Sequence, residues 1–390
     1  MPPATEVGAV VLGGDYQGLG IVRSLGRRAI RACVLDDEYS IARFSRFASS
    51  GMQVETLVDP ERTADVLLDA GRRLGLEGWV LYPTRDETVA AISRHRSDLA
   101  EVFRVPTPEW STVRLAWDKR EAYRLADKLG IPIPRTWYAD HLEQLEAVEG
   151  DGPFVIKPAS KGDFLRVTKA KAWRADGRAE LVQRFKEGSR LVPPGQLMVQ
   201  ELIPGDGRQQ FAYCAFFKNG DAVGNMTVRR RRQHPPDFGR ASTFVETIDL
   251  PVLATLSERF LREIDYYGLI ELEYKLDCRD GQYKLLDVNP RTWGYHSLGH
   301  DAGVDFPHLL FADQLERPVD SCRARAGRRW IRLVTDLPTG LVEIRNGDLG
   351  WRTYLRSLRF DTEAVFSRRD PLPGLVEVAL LPYLYVKRGF

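Results

Sequence analysis

The stretch that decides the fold is residues 268–291, GLIELEYKLDCRDGQYKLLDVNPR. Apolar and charged residues alternate on both sides of an Arg-Asp-Gly turn, which predicts two strands paired as a hairpin. Such pairing can bring Glu273 close to Asp287, with Asn289 just past the second strand. Two carboxylates and an amide oxygen at one sheet end are hard oxygen ligands, so the hairpin predicts a Mg²⁺ site.

The exit of the second strand, DVNPR at 287–291, adds a guanidinium to this group. Alternation puts Asp287, Asn289 and Arg291 on one side of the strand. The planar fork of an arginine binds phosphoryl oxygens in pairs, so a cation site beside an arginine predicts phosphate binding. Taken alone, Glu273 or Asp287 is more simply interpreted as part of a solvated face.

Composition indicates a globular protein of two or three domains. The chain has 390 residues and 43% hydrophobic residues, and its 56 basic residues nearly balance 54 acidic ones. This balance gives no reason to expect nucleic acid or an acidic membrane as a partner. Four dispersed cysteines without a CxxC motif favour buried reduced thiols and a cytoplasmic location. No run approaches a membrane span, and the apolar C-terminal stretch is interpreted as a packed element in preference to a membrane-surface anchor.

The order of glycine, LEYK strand, Asp-Gly turn and LLDVNPR resembles the metal-binding core of the ATP-grasp superfamily. Most members carry Glu where this chain has Asp287, and the shorter side chain favours one metal position over a bridge between two. The resemblance implies an α/β protein with the ATP-grasp fold, in which two α+β subdomains clasp ATP. It also implies a Rossmann-like pre-ATP-grasp domain before them. The expected domains are 1–115 (Rossmann-like), 116–200 (small subdomain), 201–320 (large subdomain with the metal site) and 321–390 (a C-terminal segment of unknown role).

The N-terminal region predicts a βαβ unit over residues 7–36. Its glycines, at 13, 14, 18 and 20, do not match the G-x-G-x-x-G spacing of dinucleotide-binding proteins, which argues against NAD. A further strand then ends at Pro83-Thr84-Arg85-Asp86. Because open α/β sheets bind ligands at the carboxyl ends of strands, Thr84, Arg85 and Asp86 are candidate substrate-binding residues. A helix cap by Thr84 or Asp86 is an equal alternative.

Several separate motifs follow the order of the ATP-binding half of the superfamily. The resemblance implies phosphate binding by Lys119, at the head of a helix, and by Lys157, which ends an apolar strand. A buried lysine needs a compensating anion, and a triphosphate is one. The resemblance also implies adenine and ribose contacts in the segment after 197. The candidate nucleotide-binding residues are Lys119, Lys157, Gln200, Glu201, Leu202 and Asp206, and a short loop at 160–164 is the candidate phosphate lid.

Four consecutive arginines at 229–232 form the densest positive run. Such a run is usually solvated or faces nucleic acid. If it continues a strand, alternate arginines share a face, so Arg230 with Arg232, or Arg229 with Arg231, can clamp a carboxylate. Arg230 and Arg232 are taken as the candidate substrate-binding pair.

The function that the resemblance implies is an ATP-dependent ligase that joins a carboxylate, an amino acid or small peptide, to an amine. It releases ADP and phosphate through an acyl phosphate. ATP and Mg²⁺, with Mn²⁺ as the substitute metal, are the expected cofactors. Glu273, Asp287 and Asn289 are the expected metal ligands, and Arg291 and Lys157 the catalytic charges. The alternatives are a bicarbonate-activating carboxylase, a non-catalytic nucleotide-binding scaffold and, last, a dehydrogenase. Small molecules are the expected partners, and the family's common homodimer is left open.

Overall fold

The structure is a computed structural model that describes residues 7–159, 168, 170–192, 195–235, 239 and 241–388, without the side chains of 387 and 388. Within these residues the strands form three sheets, two of four strands and one of eight. The candidate lid at 160–164 lies outside the described residues.

The first sheet is parallel, with strand order β3-β2-β1-β4. Its strands are β1 (Ala9–Leu12), β2 (Ala32–Asp36), β3 (Ser50–Gln53) and β4 (Val80–Pro83). Its helices are α1 (Tyr16–Gly26), α2 (Pro60–Leu74), α3 (Asp86–Arg94) and α4 (Arg96–Ala100), with a 3₁₀ turn at Ala42–Phe44. Strands β1, β2 and β4 are buried along their whole length, as expected of a parallel sheet covered on both faces. The predicted βαβ unit is therefore present.

Two helices, α5 (Trp110–Trp117) and α6 (Lys119–Lys128), lead into the second sheet. Asp118 caps α6 by accepting a hydrogen bond from the Arg120 amide at 2.9 Å, which fixes Lys119 in the first turn. The second sheet is antiparallel, with order β5-β8-β6-β7. It consists of β5 (Thr136–Tyr138), β6 (Phe154–Pro158), β7 (Trp173–Ala175) and β8 (Leu197–Glu201), with a 3₁₀ turn at Leu142–Ala147 and helix α7 (Arg178–Gly188).

The third sheet carries the predicted hairpin at one edge. Its strands are β9 (Gln210–Lys218), β10 (Asp221–His234), β11 (Ala241–Ile248), β12 (Gly268–Asp277), β13 (Gln282–Asn289), β14 (Cys322–Arg323), β15 (Arg329–Ile331) and β16 (Thr362–Glu363). The order is β13-β12-β9-β10-β11-β15-β16, with β14 beside β10. Asn219 and Gly220 both have positive φ, 54° and 81°, which confirms the type I′ turn between β9 and β10. A 3₁₀ turn at Gly207–Gln209 and helices α8 (Pro251–Glu263), α9 (Leu298–Ala302) and α10 (Phe306–Gln314) complete this part.

The C-terminal segment, to which the sequence assigned no role, is joined to the rest of the protein. It supplies β14, β15 and β16 to the third sheet and ends in α11 (Leu333–Asn346), α12 (Trp351–Ser357) and α13 (Leu372–Arg388). A buried ion pair joins it to α1, where Arg23 donates to Asp370 at 2.9 Å. Within the segment, Arg332 after β15 donates to Glu377 of α13 at 2.7 Å. The segment thus ties the first sheet to the third.

The cysteines are free, as the sequence predicts. Cys33 and Cys214 are buried, whereas Cys278, on the turn between β12 and β13, is exposed. A search of the described residues for helices long and apolar enough to cross a membrane finds none.

Buried His296 gives a prediction on acid stability. Its Nε2 lies 2.9 Å from the Gln17 carbonyl oxygen, and burial lowers the pKa of the imidazole to about 4. Because the unfolded chain then binds the extra proton, the free energy of unfolding falls as the pH drops below about 6.5. We expect a loss of about 2 kcal/mol between pH 7.5 and 5 from this group. Urea titrations should show a shallower loss for His296→Gln, and identical pH slopes for both proteins would contradict the assignment.

Candidate functional site

The hairpin register places the predicted metal ligands opposite one another. Glu273 on β12 pairs directly with Asp287 on β13, and Glu271 pairs with Asn289. Side chains two apart on a strand share a face, so these four polar groups point to the same side of the sheet. The predicted hairpin and the proximity of Glu273 to Asp287 are therefore confirmed, and a register shift between Glu273 and Tyr274 sets the two carboxylates directly opposite each other.

Both carboxylates are neutralised by cations from other elements. Lys119 Nζ, in the first turn of α6, lies 2.5 Å from Asp287 Oδ1. Arg230 Nη2, on β10, lies 3.2 Å from Glu273 Oε2. All four side chains are largely buried, with 10–16% of each exposed. Burial of like charges is costly unless cations accompany them, so the two basic groups make the acidic hairpin stable.

Asn289 and Arg291 continue this network. Asn289 Nδ2 donates to Glu271 Oε2 at 3.1 Å and to Glu273 Oε1 at 3.2 Å. Arg291 Nη2 lies 3.5 Å from Asn289 Oδ1, and its Nε donates to Asp86 Oδ1 at 2.6 Å. Burial opposes the charge on Arg291, but Asp86 and the hairpin acids raise its pKa. Arg291 therefore stays a cation that links the hairpin to the first turn of α3.

Glu271 is a site residue that the sequence analysis missed. Its carboxyl is buried, accepts a hydrogen bond from the Tyr295 hydroxyl, and has a pKa raised to about 7 by burial and by the charge of Glu273. The available signal was the alternation itself, because Glu271 stands two residues before Glu273 on the same face. A third carboxyl thus adjoins the predicted ligand pair.

Lys157 contacts Tyr123, a second residue that the sequence analysis did not identify. Its Nζ donates to the Tyr123 hydroxyl at 2.6 Å, and that hydroxyl donates to the Leu286 carbonyl oxygen at 2.6 Å. Tyr123 lies on α6 and Leu286 on β13, so the contact joins β6 of the second sheet to the hairpin. This places the Lys157 ammonium on the same cleft as Lys119.

The segment after β8 forms the opposite wall of the cleft. The Glu201 carboxylate accepts hydrogen bonds from the Arg135 amide at 3.0 Å, from Arg279 at 2.8 Å and from Lys284 at 3.2 Å. Burial favours the neutral acid, but these donors lower the pKa of Glu201. Its side chain therefore fastens the second sheet to the hairpin and does not cap a surface strand.

Two lysine contacts shape the turn that follows. Lys275 Nζ donates to the Ile203 and Gly205 carbonyl oxygens, at 2.8 Å each. Asp206 accepts from the Arg208 amide at 2.8 Å, and its side chain is 61% exposed at the mouth of the cleft. Gln200 Nε2 donates to Thr136 Oγ1 at 2.7 Å. The turn after β8 is thus held in one conformation by the buried ammonium group of Lys275.

Two cavities adjoin these groups. The main cleft, between the second and third sheets, has an empty volume of about 1090 Å³. Its walls include all the predicted nucleotide-binding residues: Lys119, Lys157, Gln200, Glu201, Leu202 and Asp206. The side cavity, of about 770 Å³, lies towards the first sheet. Its walls include Tyr16, Gln17, Asp86, Glu271, Asn289 and Arg291. Arg230, Glu273 and Lys171 line both, so the cavities meet at the hairpin.

Of the three residues predicted at the end of β4, Asp86 reaches the side cavity. Thr84 and Arg85 do not line it. Thr84 Oγ1 donates to the Leu12 carbonyl oxygen at 2.7 Å. Arg85 forms ion pairs with Asp36 and Asp37, at 2.5 and 2.6 Å. Both side chains therefore join neighbouring strand ends of the first sheet.

The expected arginine pair is separated. Arg230 lines both cavities, whereas Arg232 lines neither. A register shift between residues 230 and 232 in the β10–β11 pairing interrupts the alternation. Arg232 instead forms a two-bond pair with Asp336 on α11, at 2.8 Å for each bond. Arg231 pairs with Glu246 at 2.6 Å, so the open alternative of Arg229 with Arg231 does not clamp the cleft either.

Because only Arg230 of the two arginines lines the cavities, we expect replacement of Arg232 to change mainly stability and replacement of Arg230 to change activity as well. Arg232 and Asp336 are 4% and 0% exposed, and removal of one partner leaves a buried charge unpaired. We expect Arg232→Met to lower the free energy of unfolding by about 3–5 kcal/mol, measured in urea. Arg230→Met should lower activity in addition to stability, because Arg230 neutralises Glu273 and lines both cavities. If Arg232→Met is as stable as the wild type, the pair does not hold α11 to the sheet.

The comparisons with known proteins identify the fold. No family model matches the sequence. Over 303 residues the chain is 24% identical to a D-aspartate ligase of Enterococcus faecium (strain Aus0004), a match that covers 72% of this chain and 70% of the relative. An L-amino acid ligase from Bacillus licheniformis superposes with a TM-score of 0.61 and 14% identity, over 81% of this chain and 75% of that structure.

A third relative is the biotin carboxylase domain of a Hydrogenobacter thermophilus carboxylase, solved with MgADP and bicarbonate. It superposes with a TM-score of 0.65 and 14% identity, over 84% of this chain and 74% of that structure. The ATP-grasp resemblance of the sequence is confirmed by these relatives. Two of these three relatives are ligases, the class of enzyme that the sequence analysis expects.

Proposed function

We propose that this protein joins an amino acid carboxylate to an amine at the expense of ATP, through an acyl phosphate. The observation that carries the proposal is the meeting of two cavities at one charged hairpin. Arg230 and Glu273 line both cavities, with Asp287 in the main cleft and Asn289 and Arg291 in the side cavity. A group bound in the main cleft can therefore react with one bound in the side cavity.

We assign the main cleft to ATP. Lys119 and Lys157 supply two ammonium groups on its wall, suited to phosphate oxygens. The turn from Gln200 to Asp206 lies farther along the same cleft and offers backbone groups to a purine, with the Asp206 carboxylate for a ribose.

The residues of the hairpin fit a divalent cation. Glu273 and Asp287 offer carboxylate oxygens and Asn289 an amide oxygen, the hard donors that Mg²⁺ prefers. Across the described residues, no three His, Cys, Asp or Glu side chains form a metal-binding group, and this set has two acids and an amide. We propose that these three residues hold Mg²⁺, with Mn²⁺ as a substitute. When bound, the ion would neutralise negative charge on the phosphates of ATP.

We assign the side cavity to the carboxylate substrate. Arg291 and Arg230 supply positive charge on its wall, and Tyr16 and Gln17 place the N-terminus of α1 there. The Tyr16 amide donates to the Asp15 carboxylate at 2.7 Å, so the two arginines supply most of the attraction for an anion. Asp86 adds one carboxylate, suited to the ammonium of an amino acid. The D-aspartate and L-amino acid ligases that the chain resembles support an amino acid as one substrate.

The proposed reaction needs positioned charge and no nucleophilic side chain. A substrate carboxylate oxygen attacks the γ-phosphorus of ATP, and ADP leaves. The amine then attacks the acyl carbon of the acyl phosphate, phosphate leaves with the former carboxylate oxygen, and the amine loses a proton. Lys157, Lys119 and Arg291 spread the negative charge that develops during both steps.

The proposal is tested by release of ADP and phosphate with Mg-ATP, for D- and L-amino acids offered singly and in pairs, with mass spectrometry of the products. Release that requires a particular pair and yields an amide supports a ligase. Release that requires bicarbonate would identify a carboxylase instead. ATP binding without release under any condition would indicate a nucleotide-binding scaffold.

A further inference from the structure

Helix α13 turns apolar side chains outward. Its buried half includes Glu377, which is 1% exposed and pairs with Arg332, and Leu384, at 5%. Up to Val386, the last residue whose side chain is described, the exposed half carries no charge, and 36–86% of each large side chain is accessible. Its large apolar residues are Leu372, Leu375, Val378, Leu381, Tyr385 and Val386. A helix at a solvated surface normally shows the opposite arrangement, so this face is suited to a non-aqueous neighbour.

Helices α11 and α12 of the C-terminal segment also carry exposed apolar side chains. Leu341 on α11, and Trp351 and Leu355 on α12, are 64%, 58% and 55% exposed. The aromatic ring of Tyr39, 61% exposed, packs edge-on against Tyr383 of α13 at 5.4 Å. The surface therefore combines a wide aliphatic face with aromatic residues, which membrane-surface helices place at the lipid boundary.

The exposed charges of residues 340–370 are mostly positive. The exposed arginines of residues 340–370 are Arg345, Arg352, Arg356, Arg359, Arg368 and Arg369. The acidic side chains of the whole C-terminal segment, residues 321–390, are mostly buried. Asp336, Asp370 and Glu377 are 0–1% exposed and are each paired with a buried arginine. Of the two exposed acids, Asp348 and Asp361, the second pairs with Arg328 at 2.7 Å.

The charge of this surface indicates which kind of partner binds to it. A second copy of the chain would bring the same arginines against these, and like charges oppose each other at an interface. An anionic lipid surface offers hydrocarbon to the apolar face and negative headgroups to the arginines. We propose that α11, α12 and α13 form a docking face for anionic membranes, on which the protein lies peripherally. This departs from the packed terminal element that the sequence favoured, because only half of α13 is packed.

The test is sedimentation of the full chain with vesicles of phosphatidylcholine alone or mixed with phosphatidylglycerol. We expect binding to the mixed vesicles that weakens with salt. Leu375→Glu, 66% exposed in the native chain, should weaken it by about tenfold or more. Arg356→Gln should weaken it about fivefold. Val252→Glu, on α8 and 43% exposed, is the matched control and should bind as the wild type does.

Two results would overturn the proposal. Absence of binding to the mixed vesicles, in a chain that sedimentation equilibrium shows to be dimeric and that Leu375→Glu makes monomeric, would assign the face to a second copy. Equal binding of the wild type and Leu375→Glu would show that the apolar face is not involved. Ligase activity in solution should be the same for Leu375→Glu and the wild type, which separates docking from the proposed reaction.

Discussion

Replacing Asp287 with alanine is expected to lower kcat/KM for ATP-dependent ligation by about 10²- to 10³-fold. Asp287 lies opposite Glu273 in the hairpin and 2.5 Å from Lys119, so its loss removes a proposed metal ligand and one ion-pair partner of the lysine proposed to bind phosphate. Steady-state release of ADP at saturating Mg²⁺ measures the effect.

A matched control is available on the same hairpin. Asp280 lies on the turn, with its side chain 40% exposed and 3.3 Å from Lys284. Asp280→Ala removes an equal charge from the same element but leaves the cleft intact, so it should retain wild-type kcat/KM. Equal activity of Asp287→Ala and Asp280→Ala would contradict the role of Asp287.

Replacing Arg291 with lysine is expected to lower kcat/KM by about 10²-fold, with the KM for the carboxylate substrate raised. The substitution keeps the positive charge beside Asp86 and loses the planar fork that holds two oxygens at once. Initial rates at varied amino acid concentration separate the KM from the kcat.

The same substitution at Arg279 is the control. Arg279 pairs with Asp277 and Glu201 at the turn of the hairpin, and its side chain is 43% exposed. Arg279→Lys should change the free energy of unfolding more than the activity. Should Arg291→Lys retain the wild-type kcat/KM, Arg291 would be a link between the first and third sheets and no more.

Local patterns in the sequence predicted the hairpin well. Alternation and an Arg-Asp-Gly turn predict both strands, so Glu273 and Asp287 could be expected to lie near each other. The register shift between Glu273 and Tyr274, which sets the two carboxylates directly opposite, was not visible in the sequence. The resemblance to the ATP-grasp superfamily assigned Lys157 and Glu201 to one nucleotide site, and both residues line the main cleft. The hairpin strands depend on neighbours in sequence, which is why local patterns predict them.

Contacts between distant segments could not be inferred in this way. Arg85 meets Asp36 and Asp37, and Arg232 meets Asp336 about a hundred residues later. A single irregularity in β10 was enough to turn Arg232 away from Arg230. The sequence favoured a packed element at the C-terminal stretch, and only the fold shows that α13 has an exposed apolar face containing Leu375.

The central claim is transfer of a carboxylate oxygen to phosphate during ATP-dependent ligation. The most direct measurement uses an amino acid with an ¹⁸O-labelled carboxylate, chosen from the panel that releases ADP, with mass spectrometry of the released phosphate. The account predicts one ¹⁸O atom in each phosphate, because phosphate leaves the acyl phosphate with the former carboxylate oxygen. Phosphate that carries no label, released together with the amide, would contradict the acyl-phosphate mechanism and show that the carboxylate is activated in another way.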